Sequence, residues 1–196
     1  MNPIAIIIPT LDVENAAITG KNALTSAGCE ARLIIVGGPA RGFTKTVNAG
    51  LAQLEPGEDA CILNDDITGF QYSWLALLKH ALYKRPRYGI TGPSGKSSTA
   101  PARDGKPGMR GLEVCSQLSF WCVLLKRAMI DDIGVLDKRF IHYCSDNEYC
   151  HRARKKRWQC VWVRGVYLDH RHHGSGMRRE WWAHDRALWG KVRRRK

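Results

Sequence analysis

Residues 4–8 read Ile-Ala-Ile-Ile-Ile, an unbroken apolar run that stops at Pro9-Thr10. A strand exposed on one face alternates apolar and polar side chains. A continuous run requires both faces to be covered, which is the condition of a strand inside a parallel sheet. Residues 32–36 and 60–63 repeat the pattern, and the segments between them, 14–27 and 43–54, carry helical spacing. The first of these stops at Gly28 and the second at Pro56-Gly57, both ordinary helix terminators. Strand, helix, strand, helix, strand opens an α/β fold.

The rest of the chain continues in kind. Residues 73–83 predict an amphipathic helix, 88–91 a strand, and 92–111 a Gly-, Pro-, Ser- and Lys-rich loop with the composition of a lid. Residues 118–125 predict a strand, 126–133 a helix closed by Gly134, and 146–157 a basic helix. Two strands, 159–163 and 166–169, then lead into His170. A chain of 196 residues supports one core domain, here expected over 1–176, with a basic, tryptophan-rich helix over 177–196.

Composition narrows the class. The apolar runs fall far short of the roughly 20 residues a membrane-spanning helix needs. The first ten residues have neither the basic leader nor the cleavage site of a secretion signal, so a cytoplasmic location is expected. Seven cysteines, odd in number and without close pairing, fit a reducing compartment. Residues 125–196 hold 19 Lys and Arg against 8 Asp and Glu, so the last third carries +11 of the net charge of +13. Such a face attracts polyanions, whether pyrophosphate-bearing substrates, an anionic membrane surface or nucleic acid.

Three groups of residues carry chemistry. Asn64-Asp65-Asp66 follows a buried strand, placing two carboxylates at a strand's carboxyl end, where open α/β sheets bind their ligands. Adjacent negative charges repel, so the pair favours a divalent cation, which a nucleotide diphosphate also requires. Asp146 and Glu148 open a helix just after an aromatic run. Acids there complement the helix dipole, and one of them beside aromatic groups also suits a general base. His170, His172 and His173 end the last strand, and imidazole with carboxylate and water suits manganese or zinc. Cys144, Cys150 and Cys160 raise a structural zinc site as the rival, although their spacing matches no finger or ribbon.

The order of motifs resembles the family 2 glycosyltransferases of the GT-A fold, the nucleotide-diphospho-sugar transferases, and within them the rhamnosyltransferase-like branch. Ile8-Pro9-Thr10, Arg41-Gly42-Phe43, Asn48-Ala49-Gly50-Leu51, Leu63-Asn64-Asp65-Asp66, Gly92-Pro93, Ile133-Gly134-Val135-Leu136-Asp137 with Phe140, Asp146, Glu148 and Arg152, and Asp169-His170 with Gly174-Ser175 appear in the family's order. The resemblance implies an inverting transfer from a UDP-, GDP- or dTDP-sugar with Mn2+ or Mg2+. It implies Asp66 and His170 as metal ligands and Asp146 as catalytic base. It implies a mixed, mostly parallel sheet flanked by helices, with Pro9, Thr10, Gly42, Phe43, Asn48, Asn64 and Asp65 on the donor side, Asp65 near the ribose or the metal, and Trp121, Glu148 and His173 around the acceptor or one layer behind it. The chain departs from the pattern after the second strand, where the family's Asp-rich turn and the following helix and strand are missing, and at Ser145, where an acid is usual. The implied domain is a shortened one.

The implied acceptor is a glycan or lipid-linked glycan. A transferase acting on a modified nucleic-acid base would also need both an acidic site and a basic surface. A non-enzymatic nucleic-acid binder would explain the basic last third and its tryptophans but leave the acidic turn without a role.

Overall fold

A computed structural model describes residues 2–37, 42–95, 109–170 and 178–194. The chain forms strands β1 (Ile4–Pro9), β2 (Arg32–Val36), β3 (Asp59–Leu63), β4 (Ile67–Phe70), β5 (Tyr88–Gly95), β6 (Leu112–Cys115), β7 (Cys122–Leu125) and β8 (Gln159–His170). Its helices are α1 (Val13–Thr25), α2 (Phe43–Leu51), α3 (Trp74–Tyr83), α4 (Arg127–Ile133), α5 (Ser145–Lys155) and α6 (Arg179–Val192). The strands make one sheet in the order β2-β1-β3-β7-β5-β8-β4, with β6 also paired to β8.

Strand β1 pairs in parallel with β2 and β3, and β5 with β8, while β7 runs against both β3 and β5. Strands β4 and β6 run against β8. Thus β1, β2, β3, β5 and β8 point one way and β4, β6 and β7 the other, the mixed, mostly parallel sheet expected. The carboxyl ends of the first group and the amino ends of the second share one edge. That edge gathers Thr10, the 64–66 turn, Trp121 and His170.

The unbroken run of β1 is buried because each face has its own core. Ala5 and Ile7 pack with Val47 and Leu51 of α2, Met129 of α4 and Tyr149 of α5. Ile4, Ile6 and Ile8 pack on the other face with Ala16 and Ala23 of α1 and Trp74, Leu75 and Leu78 of α3. Fully burying one such isoleucine contributes about 1.5–3 kcal/mol.

Several boundaries differ from the sequence reading. Strand β5 continues to Gly95 into the expected loop, because it pairs with β8 through Pro93, Ser94 and Gly95; residues 96–108 lie outside the described residues. The two strands expected at the end of the domain are one, since β8 bridges its irregular middle by pairing with three neighbours. Strands β4 and β6 were not expected from the sequence. Each is only four residues long, too short for a period-2 pattern to register, and each forms against the preassembled edge of β8. Among the described residues no helix is long and apolar enough to cross a membrane.

Candidate active site

The acidic turn leaves β3 at the shared edge. Asn64 donates its backbone N–H to the Trp121 carbonyl at 2.8 Å, tying the turn to the start of β7. The Asp65 carbonyl accepts from Asn15 Nδ2 and Thr19 Oγ1, each at 2.7 Å, which fixes the turn on α1. Thr10 Oγ1 donates to Asp65 Oδ2, so the residue just after β1 grips a carboxylate of the turn that follows β3. Burial pushes the Asp65 carboxyl above its ordinary value; the Thr10 hydrogen bond opposes this and the negative charges of Asp66 and Asp12 add to it. The turn concentrates negative charge that a cation would relieve.

Asp66 lies between β3 and β4. Its Oδ1 is 3.0 Å from His170 Nε2, both side chains being nearly buried. Among the described residues this buried oxygen accepts no aligned hydrogen bond. Two ligands about 2.1 Å from one octahedral cation, in adjacent positions, stand about 3 Å apart. The imidazole is held by Trp121, whose ring stacks on it with centroids 5.1 Å apart and planes 13° apart. Carboxylate plus imidazole is a donor pair suited to Mn2+, with remaining positions filled by water and phosphate oxygens. The residues therefore fit the metal, as two ligands. Among the described residues no three His, Cys, Asp or Glu side chains converge to make a fuller site. Nor is there a zinc site of cysteines: Cys150 Sγ is buried against the Leu118 carbonyl at 3.8 Å.

Asp146 stands in the first turn of α5. Burial pushes its carboxyl above the ordinary carboxylate value, against opposing hydrogen bonds from the backbone of Asn147, of Asp146 itself and of Phe120. Phe120 precedes the Trp121 that stacks on His170. Residues 120–121 thus connect the candidate base to the Asp66–His170 pair.

Other site expectations resolve differently. Asn48 spends its amide on the Leu136 backbone, donating to the carbonyl at 2.8 Å and accepting from the N–H at 3.0 Å. It is a strut between α2 and the 134–140 loop, with its amide engaged there. Glu148 is buried in a fork with Arg152, both bonds at 2.9 Å, and Arg152 also donates to the carbonyls of Ile133 and Val135. That pair anchors α5, a supporting role behind the acceptor side. Gly42 has φ +82° and packs its bare Cα where a Cβ would lie 2.3 Å from the Ile141 carbonyl oxygen. Phe43 donates its N–H to His142 Nδ1 at 3.3 Å. Pro9 is the last residue of β1, in register with Val36. His173 lies outside the described residues, as do Arg41, Gly174 and Ser175.

Two residues that the sequence reading missed stand beside this site. His142 sits edge-on to Phe43, at 6.2 Å between centroids, and burial pushes its pKa below the ordinary value. Asp185 of α6 is completely buried and accepts the backbone N–H groups of Ile141, His142 and Tyr143 at 2.8–3.1 Å. The available signal was an acid four residues after Trp181 and four before Trp189, in a helix with basic flanks.

No protein-family profile and no curated protein matches the sequence. Solved structures do match it. GalNAc-T7, solved with UDP, GalNAc and Mn2+, superposes with a TM-score of 0.68 at 9% identity over 87% of this chain and 44% of its own. A mannosyltransferase from Pyrobaculum calidifontis, solved with GDP-Man and Mn2+, gives 0.63 at 13% identity over 87% and 58%. Glucosyl-3-phosphoglycerate synthase from Mycobacterium tuberculosis, solved with Mn2+, UDP and glucosyl-3-phosphoglycerate, gives 0.61 at 12% identity over 97% and 80%. The fold is GT-A. This GT-A chain spans less than half the length of the GalNAc-T7 structure, and at these identities the likeness establishes the fold alone.

Proposed function

We propose that the protein is a metal-dependent glycosyltransferase that moves a sugar from a nucleoside-diphosphate sugar to an acceptor hydroxyl with inversion. The observation that carries this reading is the 3.0 Å approach of Asp66 Oδ1 to His170 Nε2 at the carboxyl edge of a GT-A sheet, with the candidate base tied to the same 120–121 turn. The neighbours with UDP or GDP-Man and Mn2+ support a nucleotide-sugar donor, and the motif order supports the rhamnosyltransferase-like branch.

Asp66 and His170 would hold Mn2+ or Mg2+, which when bound supplies charge neutralisation for the departing diphosphate. Asp65, fixed by Thr10, faces the donor. Asp146 takes the proton from the acceptor hydroxyl, whose oxygen attacks the anomeric carbon while the nucleoside diphosphate leaves with the electrons of the broken bond. Burial of Asp146 raises its basicity for this step. The acceptor is proposed to be a glycan or lipid-linked glycan. Its approach is from the basic last third, where Arg178 lies over Trp181 and Arg186 over Trp182.

The test is a panel of UDP-, GDP- and dTDP-sugars incubated with the protein and Mn2+, following release of the nucleoside diphosphate and repeated with chelator. Metal-dependent release from one donor supports the proposal. Absence of binding to any donor, with metal present, overturns it.

A further inference from the structure

Asp146 follows a turn that its own helix does not stabilise. Cys144 takes a left-handed backbone, φ 59°, and offers α5 no side-chain cap. The three residues before it all point their N–H groups at one carboxylate. Ile141 donates to both Asp185 oxygens, at 3.0 and 3.1 Å, and His142 and Tyr143 each donate to Oδ2 at 2.8 Å. His184 Nδ1 meets Oδ1 at 2.8 Å. Successive backbone N–H groups converging in this way form an anion nest, and here the anion is supplied by the chain itself.

The segment so held also grips α2. The Ile141 carbonyl accepts the Thr44 N–H at 3.1 Å, and His142 Nδ1 accepts that of Phe43 at 3.3 Å. Two of the orphan donors at the start of α2 are thereby satisfied. The start of α2, the start of α5 and the middle of α6 meet at residues 141–143, and the Asp185 carboxylate is the group around which they meet. Burial pushes its carboxyl up, but the N–H groups of His142, Ile141 and Tyr143 together with His184 outweigh burial and hold it below its ordinary value.

We infer that Asp185 is a positioning residue of the catalytic centre, setting the 141–144 turn and through it the place of the Asp146 carboxylate, so that α6 belongs to the active site. The inference rests on the reading of Asp146 as the base. In Asp185→Asn one acceptor oxygen becomes an NH2 facing N–H groups, so the turn loosens while the volume is kept. Asp185→Glu keeps charge and acceptors but displaces the carboxylate, and guards against failure of the first variant to fold. Leu188→Ala serves as a control that truncates a partly buried side chain of α6 and leaves the Asp185 carboxylate in place.

Three readouts decide. Amide exchange at residues 141–146 should rise at least about tenfold in Asp185→Asn, with the sheet unchanged. The Asp146 carboxyl titration, followed by NMR, should move in both Asp185 variants and not in Leu188→Ala. With a donor identified, kcat should fall at least about tenfold while donor KM stays within about twofold, since a displaced base affects the transition state alone. An unmoved Asp146 titration, or full kcat in a folded Asp185→Glu protein, overturns the inference. If the wild-type protein turns over no nucleotide sugar, the transferase reading fails, yet exchange and titration still decide whether Asp185 sets the turn.

Discussion

His170 stands across the sheet from Ile67, the residue that follows Asp66, because β8 runs antiparallel to β4. This pairing brings Asp66 Oδ1 within 3.0 Å of His170 Nε2 from opposite ends of the domain. The register of one short strand therefore decides whether the two candidate ligands meet. Gly69 allows it: a Cβ there would lie 2.8 Å from the Asp169 side chain.

Asp66→Asn keeps the shape of this corner and removes its charge. Wild-type protein is expected to bind its nucleotide sugar far better with Mn2+ than with chelator. The variant should bind equally in both and lose turnover at least about a hundredfold, the scale of removing one electrostatic partner of a transition state. Calorimetry with and without chelator checks this. Equal wild-type affinity in the two conditions would remove Asp66 from the metal site.

Much of this centre was legible in the chain. The runs at β1, β2 and β3 read as strands because both faces are packed, fully in β1 and β3 and partly in the edge strand β2, and the acidic turn was placed at a strand's carboxyl end from the sequence alone. Asn48 and Glu148 carry structural roles that their motifs did not reveal, for a physical reason. A polar residue in a motif is equally suited to satisfying buried backbone, as Asn48 does for Leu136, or to closing a buried ion pair, as Glu148 does with Arg152. Asp185 was missed because its partners are backbone N–H groups more than forty residues away, so its spacing between two tryptophans did not say what it binds.

Asp146→Asn should separate activity from stability. Its raised pKa means that the folded state binds the proton more tightly than the unfolded chain. The stability it contributes is full below the unfolded value near 3.8 and is lost as pH rises through the folded value. At neutral pH the wild type carries a desolvated charge that the asparagine lacks, so the variant should melt higher, with the difference vanishing in acid. Turnover should disappear. In the wild type it should rise with pH through a midpoint above the ordinary carboxylate range. Paired melting curves and a pH–rate profile test both halves, and a variant that melts lower at neutral pH contradicts the account.

Gly50 tests the packing of α2 on the sheet. A Cβ there would lie 2.3 Å from Ile7 Cγ2, and Ile7 is completely buried and β-branched, so little can give way. Gly50→Ala gains helix propensity of about 1 kcal/mol but overpacks the core at a cost of about 1–3 kcal/mol. A net loss of stability is expected by urea denaturation, with partial relief in Gly50→Ala/Ile7→Leu, which takes the γ2 methyl out of the contact while keeping the side-chain volume. Stabilisation by Gly50→Ala alone would show that the two elements sit further apart.

The tail gives the sharpest stability comparison. Asp185→Ala leaves three backbone donors facing an apolar gap under α6, at about 1–3 kcal/mol for each buried unpaired group. That cost has a ceiling. Once it exceeds the docking energy of α6, the helix peels away and water satisfies residues 141–143 instead. A chain ending at Gly176 has already lost the helix, so Asp185→Ala should destabilise no more than the truncation does. The docking itself includes the contacts of His142 with Trp181, Tyr143 with Trp182 and His151 with Trp189, which the substitution leaves in place. Urea denaturation of the three proteins should therefore rank the wild type first, Asp185→Ala second and the truncation last or equal with it. Near-equality would mean that Asp185 supplies most of the docking energy, whereas a truncation as stable as the wild type would show that α6 holds nothing in place.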